Sequence, residues 1–494
     1  MLEALIKALS EGNDDRHVLA AIRNEIKEQA ALDEAKEFFA SYDGFEKLLM
    51  SEDPKIRKNA ALLIGDLELT AQRDALFHAY EAETVLFVRS AYLKALEKMD
   101  CMPYLEAFSK RYEALLHKEH IAEEAKHDRE ERLALQKILS HAKPQKKHVF
   151  RGFSSPKKIL LTTHPRYREI TYDELPIREK KCTSSGVLLK TDSPQSVMEN
   201  RTYKELLFPL KTGAILQDNP AQAARQLLDS DLLSILKEGH TGEEPFLFRV
   251  TLATHQPLDV RSSYAKKLAE KLEDESGQTL LNAPSDYEIE LRFVETKEST
   301  YHVYLKLMTI RPKRFAYRKN SIAMTMKPSL AALLVRLAKP YLVQDAQLID
   351  PFCGVGTLLI ERQKLLKTRM TFGIDSYGDA ILGARENTKL AGLDIQYVNR
   401  DYFDFTHDYL FDELMTDMPL RGKKTKEEQD AFYNRFFDKA LTQLKEQAVM
   451  ILYSDEDGFI KKQIRRHKEL KLENQFLINE RENACMYIIK VRSI

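Results

Sequence analysis

The feature that most constrains this 494-residue chain is the run Leu348-Ile349-Asp350-Pro351-Phe352-Cys353-Gly354-Val355-Gly356-Thr357. An apolar strand ends in an acid, and two glycines then turn the chain into a helix starting near Leu358. Gly354 and Gly356 tolerate positive φ and carry no Cβ, so the backbone there can lie against a ligand. The free N–H groups of the helix start can meet an anionic group. Dinucleotide enzymes also use Gly-x-Gly at this place. Here Leu359 stands where their third glycine belongs, and Asp350 with its Asp-Pro-Phe-Cys opening departs from their pattern.

The rhythm around the run decides the architecture. From residue 320 onward, candidate strands at 347–349, 371–374, 395–398, 412–415, 448–453 and 486–491 alternate with helical stretches. That order predicts a mostly parallel, doubly wound α/β sheet. Acids recur at the strand ends: Asp350, then Asp375 after Phe372-Gly373-Ile374, Asp401 after Tyr397-Val398-Asn399-Arg400, and Asp417 after Leu414-Met415-Thr416. All four are expected at the carboxyl edge of one sheet, where such folds bind ligands. A carboxylate at the second strand end suits a ribose, and one at the third suits the exocyclic amine of adenine.

The rest of the chain has a different texture. Residues 1–142 read as almost continuous amphipathic helix, and 119–139 form a charged helix within it. The stretch Asp53-Pro54-Lys55-Ile56-Arg57 with Ala60, Ala61 and Gly65 is echoed 32 residues later by Val88-Arg89, Ala91 and Ala95-Leu96. Small residues at helical spacing let paired helices approach closely, so the echo is read as HEAT-type repeats offering a docking surface to a protein partner; an ordinary helical spacer reads the same. A basic stretch at 143–157 reads as a linker that could also track a phosphate backbone. Strands at 158–163, 186–190, 246–252, 287–294 and 302–308, with a helix at 262–275, form an α+β module. A basic and aromatic tail closes it, with Arg311, Lys313, Arg314, Phe315, Tyr317, Arg318 and Lys319.

Composition removes some classes. Lys plus Arg equals Asp plus Glu at 76 each, which excludes a histone-like binder but leaves room for a local basic face. The four cysteines are far apart and form no zinc-type pair, so free thiols in a reducing cytoplasm are expected and no metal. The N-terminus does not read as a signal peptide, and no apolar stretch approaches the roughly 18 residues of a membrane span.

On these residues the chain resembles a family. Asp350-Pro351-Phe352-Cys353-Gly354-Val355-Gly356-Thr357, Gly373-Ile374-Asp375 and the upstream Met326-Lys327-Pro328-Ser329-Leu330 look like the Rossmann-type methyltransferases fused to THUMP RNA-binding domains. Phe248-Arg249-Val250, Leu281-Asn282-Ala283-Pro284 and Arg314-Phe315-Ala316-Tyr317-Arg318 are similar to a THUMP core. The resemblance covers about residues 158–494 and implies a THUMP-like RNA-binding region (158–319) and an S-adenosylmethionine-dependent methyltransferase domain (320–494); outside it, the residues themselves read as a helical-repeat domain (1–142) and a basic linker (143–157). It implies binding of the cofactor by Asp350, Phe352, Cys353, Gly354, Gly356, Thr357, Asp375, Ser376, Asp401 and Tyr402. It further implies structured RNA, tRNA or rRNA, as substrate and a guanosine amine as the methyl acceptor.

The family's catalytic motif is Asn or Asp, then Pro-Pro, then an aromatic, with a relaxed form Asp-Leu-Pro-Phe-Gly. This chain has Thr416-Asp417-Met418-Pro419-Leu420-Arg421-Gly422. Asp417 and Pro419 match; Leu420 stands in for the aromatic that stacks on an extruded base, and Arg421 for the glycine. Asp417 with a neighbouring backbone carbonyl would position the amine, and Leu420 would keep an apolar but not a π surface. Two alternatives follow from the same residues: a different acceptor amine in DNA or protein, or a catalytically decayed scaffold that binds RNA.

Overall fold

The computed structural model describes residues 2–12, 15–27, 29–116, 118, 124–142, 148–242, 245–322 and 325–492. They form two compact units, 1–147 and 148–494. Of the basic stretch, 143–147 lie outside the described residues.

The first unit is helical. The two halves of the sequence echo become the helices Pro54–Asp66 and Leu86–Leu96. Asp53 caps the first by accepting from Lys55 N at 2.8 Å, with Pro54 in the opening turn. The helices touch through small residues: a Cβ added at Gly65 would sit 2.6 Å from Ala95 Cα. Equivalent arginines do equivalent work. Arg57 donates to both oxygens of Glu83 at 2.8 Å, and Arg89 donates to Glu131 at 3.2 Å and to Glu83 O at 2.9 Å.

The second unit contains two large sheets. One has nine strands, in the order Lys180–Thr183, Gly186–Thr191, Lys157–Thr162, Glu205–Pro209, Thr300–Leu307, Ile289–Glu295, Phe246–Ala253 and Leu280–Asn282, with Ile215–Leu216 joining Thr300–Leu307. Residues 148–157 are not the linker the sequence suggested. Val149 and Phe150 pair with Thr241 and His240, and the His148 ring stacks on Phe246 at 3.6 Å while its Nδ1 lies 2.9 Å from Glu288. Lys157 opens a strand and pairs with Glu238 at 2.5 Å. The polar residues of this stretch are interspersed with aromatics that anchor it, which masks its order in the sequence.

The other sheet carries the glycine run. After the helix Pro328–Ala338 (α1), its elements are β1 (Gln347–Asp350), α2 (Thr357–Leu365), β2 (Met370–Asp375), α3 (Gly378–Leu390), β3 (Gln396–Asn399) and β4 (Phe411–Asp417). These are followed by α4 (Lys426–Gln443), β5 (Leu444–Ser454), α5 (Asp457–Arg466), β6 (Leu470–Asn479) and β7 (Ala484–Val491). The strand order is β3-β2-β1-β4-β5-β7-β6, parallel except for β7. β1 is buried at all four positions, as expected of a central strand covered by helices on both faces. β6 had no counterpart among the expected strands.

The basic and aromatic tail straps the two sheets together. Arg201 donates to both oxygens of Glu361 on α2 at 2.7 Å, and Tyr317 Oη donates to the same carboxylate at 2.7 Å. Beneath β1, Arg362 and Glu413 form a fully buried pair at 2.8 and 2.9 Å, with further bonds from Arg362 to Leu366 O and Val343 O. Glu413→Ala would strand an uncompensated guanidinium. We expect it to cost about 3–5 kcal/mol, measurable by denaturant unfolding.

No helix among the described residues is long and apolar enough to cross a membrane. All four cysteines are free, and no cluster of described His, Cys, Asp and Glu residues could hold a metal ion.

Candidate active site

The four strand-end acids do meet at one edge. β1 delivers Asp350, which is 2% exposed; its Oδ1 accepts from Thr416 Oγ1 at 2.6 Å and from Phe352 N at 3.0 Å. β2 delivers Asp375, whose Oδ2 accepts from Gly354 N and Oδ1 from Tyr377 N, both at 2.9 Å. This carboxylate therefore clamps the glycine loop while keeping spare lone pairs. Asp401, after β3, is exposed and accepts from Phe403 N at 2.9 Å.

The loop between β1 and α2 is shaped by its glycines. Gly354 has φ +51° and an added Cβ would meet nothing within 4 Å, so the loop faces open space there. Gly356 has φ +77°, and a Cβ on it would collide with the Tyr397 hydroxyl. The loop is thus open outward and close-packed inward. Thr357 begins α2, and its buried Oγ1 has no hydrogen-bond partner among the described residues. Cys353 is buried, bonded through its N to Ile374 O at 2.9 Å, and burial raises its thiol well above the usual range. Phe352 is half-buried and packs against Tyr402 and Phe432, with ring centroids 5.9 and 5.8 Å apart. Tyr402 is itself buried, its hydroxyl unpartnered among the described residues and its pKa raised by burial. Ser376 is exposed on the same rim.

β4 brings Asp417 to this edge, beside Tyr453 of β5 in parallel register. Met418 N donates to Tyr453 O at 2.9 Å, so the backbone after Asp417 is fixed by the next strand. Burial, reinforced by the nearby Asp455 charge, pushes the Asp417 carboxyl up to about 7. Asp350 is also pushed up to about 7, mainly by burial and then by repulsion from Asp417 and Asp375. A group of carboxylates held close enough to raise one another's pKa favours a cationic ligand. Pro419 is half-buried and Leu420 is 53% exposed at the mouth. In the basic loop beyond, Lys424 Nζ sits 4.5 Å from the Phe432 ring centre and Arg421 Nε donates to Lys424 O at 3.0 Å.

Two residues of this edge were not singled out from the sequence. Asp455 follows β5 as the other acids follow their strands, but it opens the run Asp455-Glu456-Asp457, which reads as a helix start. Tyr453, pushed up to about 12 by burial and by Asp417, carries no signature of its own.

Residues present here fit S-adenosylmethionine. An open glycine cradle, an unpartnered buried hydroxyl on Thr357 and acids for hydroxyls, amine and positive charge are the donor set that molecule needs. Residues 316–479 match the family described as RMKL-like, methyltransferase domain. A tRNA (guanine(10)-N2)-dimethyltransferase of Methanothermobacter thermautotrophicus is 31% identical over 125 residues, 25% of this chain and 36% of the relative, so the match spans about a third of the relative's length. TrmN from Thermus thermophilus superposes with a TM-score of 0.51 at 18% identity, covering 68% of this chain and 99% of that one. A putative methyltransferase complexed with SAH does so at 0.50 and 14%, covering 69% and 100%. A predicted N6-adenine-specific DNA methylase from Listeria monocytogenes str. 4b F2365 also reaches 0.50 at 14%, covering 67% and 96%. The second unit therefore shares its fold with these solved structures.

Proposed function

We propose that this chain is an S-adenosylmethionine-dependent RNA methyltransferase acting on the exocyclic N2 amine of a guanosine in tRNA or rRNA. The observation that carries the reading is Asp417, at the sheet edge that bears the glycine loop, with the next residue, Met418, donating to Tyr453 O, and its carboxyl poised near neutrality. S-adenosylmethionine supplies a methyl carbon already bonded to a cationic sulfur. Asp350, Gly354, Gly356 and Thr357 would seat its methionine end, Asp375 and Ser376 its ribose, and Asp401, Phe352 and Tyr402 its adenine, with Cys353 shaping the loop from within.

The acceptor follows from Asp417 chemistry. Guanine presents two donors side by side, N1–H and N2–H, and an ionised carboxylate is acceptor-only, so both can bind it. Adenine offers an N1 lone pair next to its amine, which a carboxylate repels. Asp417 can orient N2 against the methyl group and take up the proton the amine loses on methylation, alongside a carbonyl of Met418 or Pro419. The curated relative's guanine-N2 activity supports this choice. In our reading residues 158–319 are a THUMP-like region that grips the RNA by shape and phosphate. The HEAT-like residues 1–142 would engage a partner protein, with Met50, 75% exposed, at the rim of a cleft of about 590 Å³ between their helices.

Radiolabelled methyl transfer to total RNA, compared with an Asp417→Ala variant, tests the reading. Label in RNA that the variant does not incorporate supports it; label in RNA from neither protein refutes it. Leu420 offers a second check. An aromatic there would add base stacking of about 1–3 kcal/mol, so Leu420→Phe should raise kcat/KM on RNA by about tenfold.

A further inference from the structure

We propose that the cleft between the strands Glu205–Pro209 and Thr300–Leu307 and the strap residues 310–315 is a subsite for one phosphate of the RNA backbone. Lys204 and Arg314 would hold the phosphate, with Lys327 at the rim. The proposal rests on the RNA reading above and adds to it where the RNA is gripped between the two sheets.

The cleft measures about 220 Å³, with Tyr203, Lys204, Glu205, Lys306, Arg314 and Phe315 on its walls. Its charges do not cancel. Glu205 is already bound to Lys306 at 2.8 Å and to both terminal nitrogens of Arg292, and these cations hold its carboxyl at about 2. Arg314 is 8% exposed, yet among the described residues it has no carboxylate in ion-pair contact. Its guanidinium lies 3.3 Å from the Tyr203 ring centre and donates only to two carbonyls, Asn200 O at 2.6 Å and Lys204 O at 3.4 Å. A guanidinium has five N–H donors, so capacity remains. Tyr203 is 1% exposed and its hydroxyl has no partner among the described residues. Among the described residues no hydrogen bond or ion pair holds the Lys204 ammonium, although the Glu205 charge acts on it.

The electrostatics agree with that geometry. Burial lowers Arg314 to about 10 against the pull of the Glu361 and Glu199 charges, and partial burial together with the Lys327 charge lowers Lys204 against the pull of Glu205. A buried cation without a carboxylate is costly unless an anion joins it. A phosphodiester brings one negative charge and two acceptor oxygens, which suits a planar guanidinium beside an ammonium and a phenol. Contacts of this kind fix register and carry no sequence information.

The test uses the full chain and a Lys204→Gln/Lys327→Gln double variant, both lysines being exposed and outside the cofactor edge. Binding of unfractionated tRNA is followed across about 50–200 mM salt. Loss of one phosphate contact should weaken binding severalfold and make the log Kobs against log salt slope shallower by about 0.7–0.9. Lys204→Arg/Lys327→Arg should restore both quantities, and unchanged S-adenosylmethionine affinity would show that the fold is intact. If the full chain and the Gln variant bind with equal affinity and slope, the subsite is wrong while the RNA reading stands. If the full chain binds neither unfractionated tRNA nor rRNA, both fall together.

Discussion

Asp417→Asn is expected to lower methyl transfer by about 10²–10⁴-fold while changing S-adenosylmethionine affinity by no more than a few fold. The amide keeps the size of the side chain but replaces one acceptor with a donor facing the guanine N–H groups, and it cannot take up a proton. The unaltered chain should show a pH signature as well. If Asp417, whose carboxyl lies at about 7, acts as the carboxylate we propose, kcat/KM should rise with pH through about 7 and then level off. Stability should run the other way. A carboxyl whose folded pKa is raised from 3.8 to about 7 binds its proton more tightly when folded, so stability is lost as pH rises between those values. Asp417→Asn should therefore be more stable than the parent by about 1–2 kcal/mol above pH 7, an advantage that accrues over that interval and vanishes below it. A variant that gains stability and loses activity would identify Asp417 as a group held under strain for chemistry.

Asp375→Ala is expected to weaken S-adenosylmethionine binding by about 100-fold or more in calorimetric titration. In the reading proposed above, the substitution removes the acceptor for ribose hydroxyls. It also leaves Gly354 N and Tyr377 N without the carboxylate that now fixes them at 2.9 Å. Two charge-assisted hydrogen bonds at about 1.5–3 kcal/mol each suffice for that loss. Asp401→Ala should do less, about tenfold, because Asp401 is exposed and fixes only the turn at Phe403. Equal losses at both positions would place the ribose contact elsewhere.

Much of the C-terminal sheet was legible because two independent patterns coincide there. Apolar runs give the strands, and the acid after each run marks the edge where the chain turns into a helix; Asp350, Asp375, Asp401 and Asp417 obey both. β6 escaped because Leu470–Asn479 carries irregularities at Leu472/Asn474 and Leu477/Asn479, which break the two-residue alternation. The 32-residue echo was legible as small residues at helical spacing, and Gly65 against Ala95 is the contact that explains it. Contacts between distant segments left no trace in the sequence. Glu361 looks like an ordinary helix acid, yet it holds Arg201 from 160 residues away, and the basic and aromatic tail is partly buried as a strap. The anchoring of residues 148–157 by His148 and Phe246 is of the same kind.

The most direct test of the central claim is nucleoside analysis of tRNA lacking modifications after incubation with the full chain and S-adenosylmethionine. We expect N2-methylguanosine, absent when Asp417→Asn replaces the parent. No methylated nucleoside from a chain that binds the cofactor, or N6-methyladenosine alone, would contradict the account.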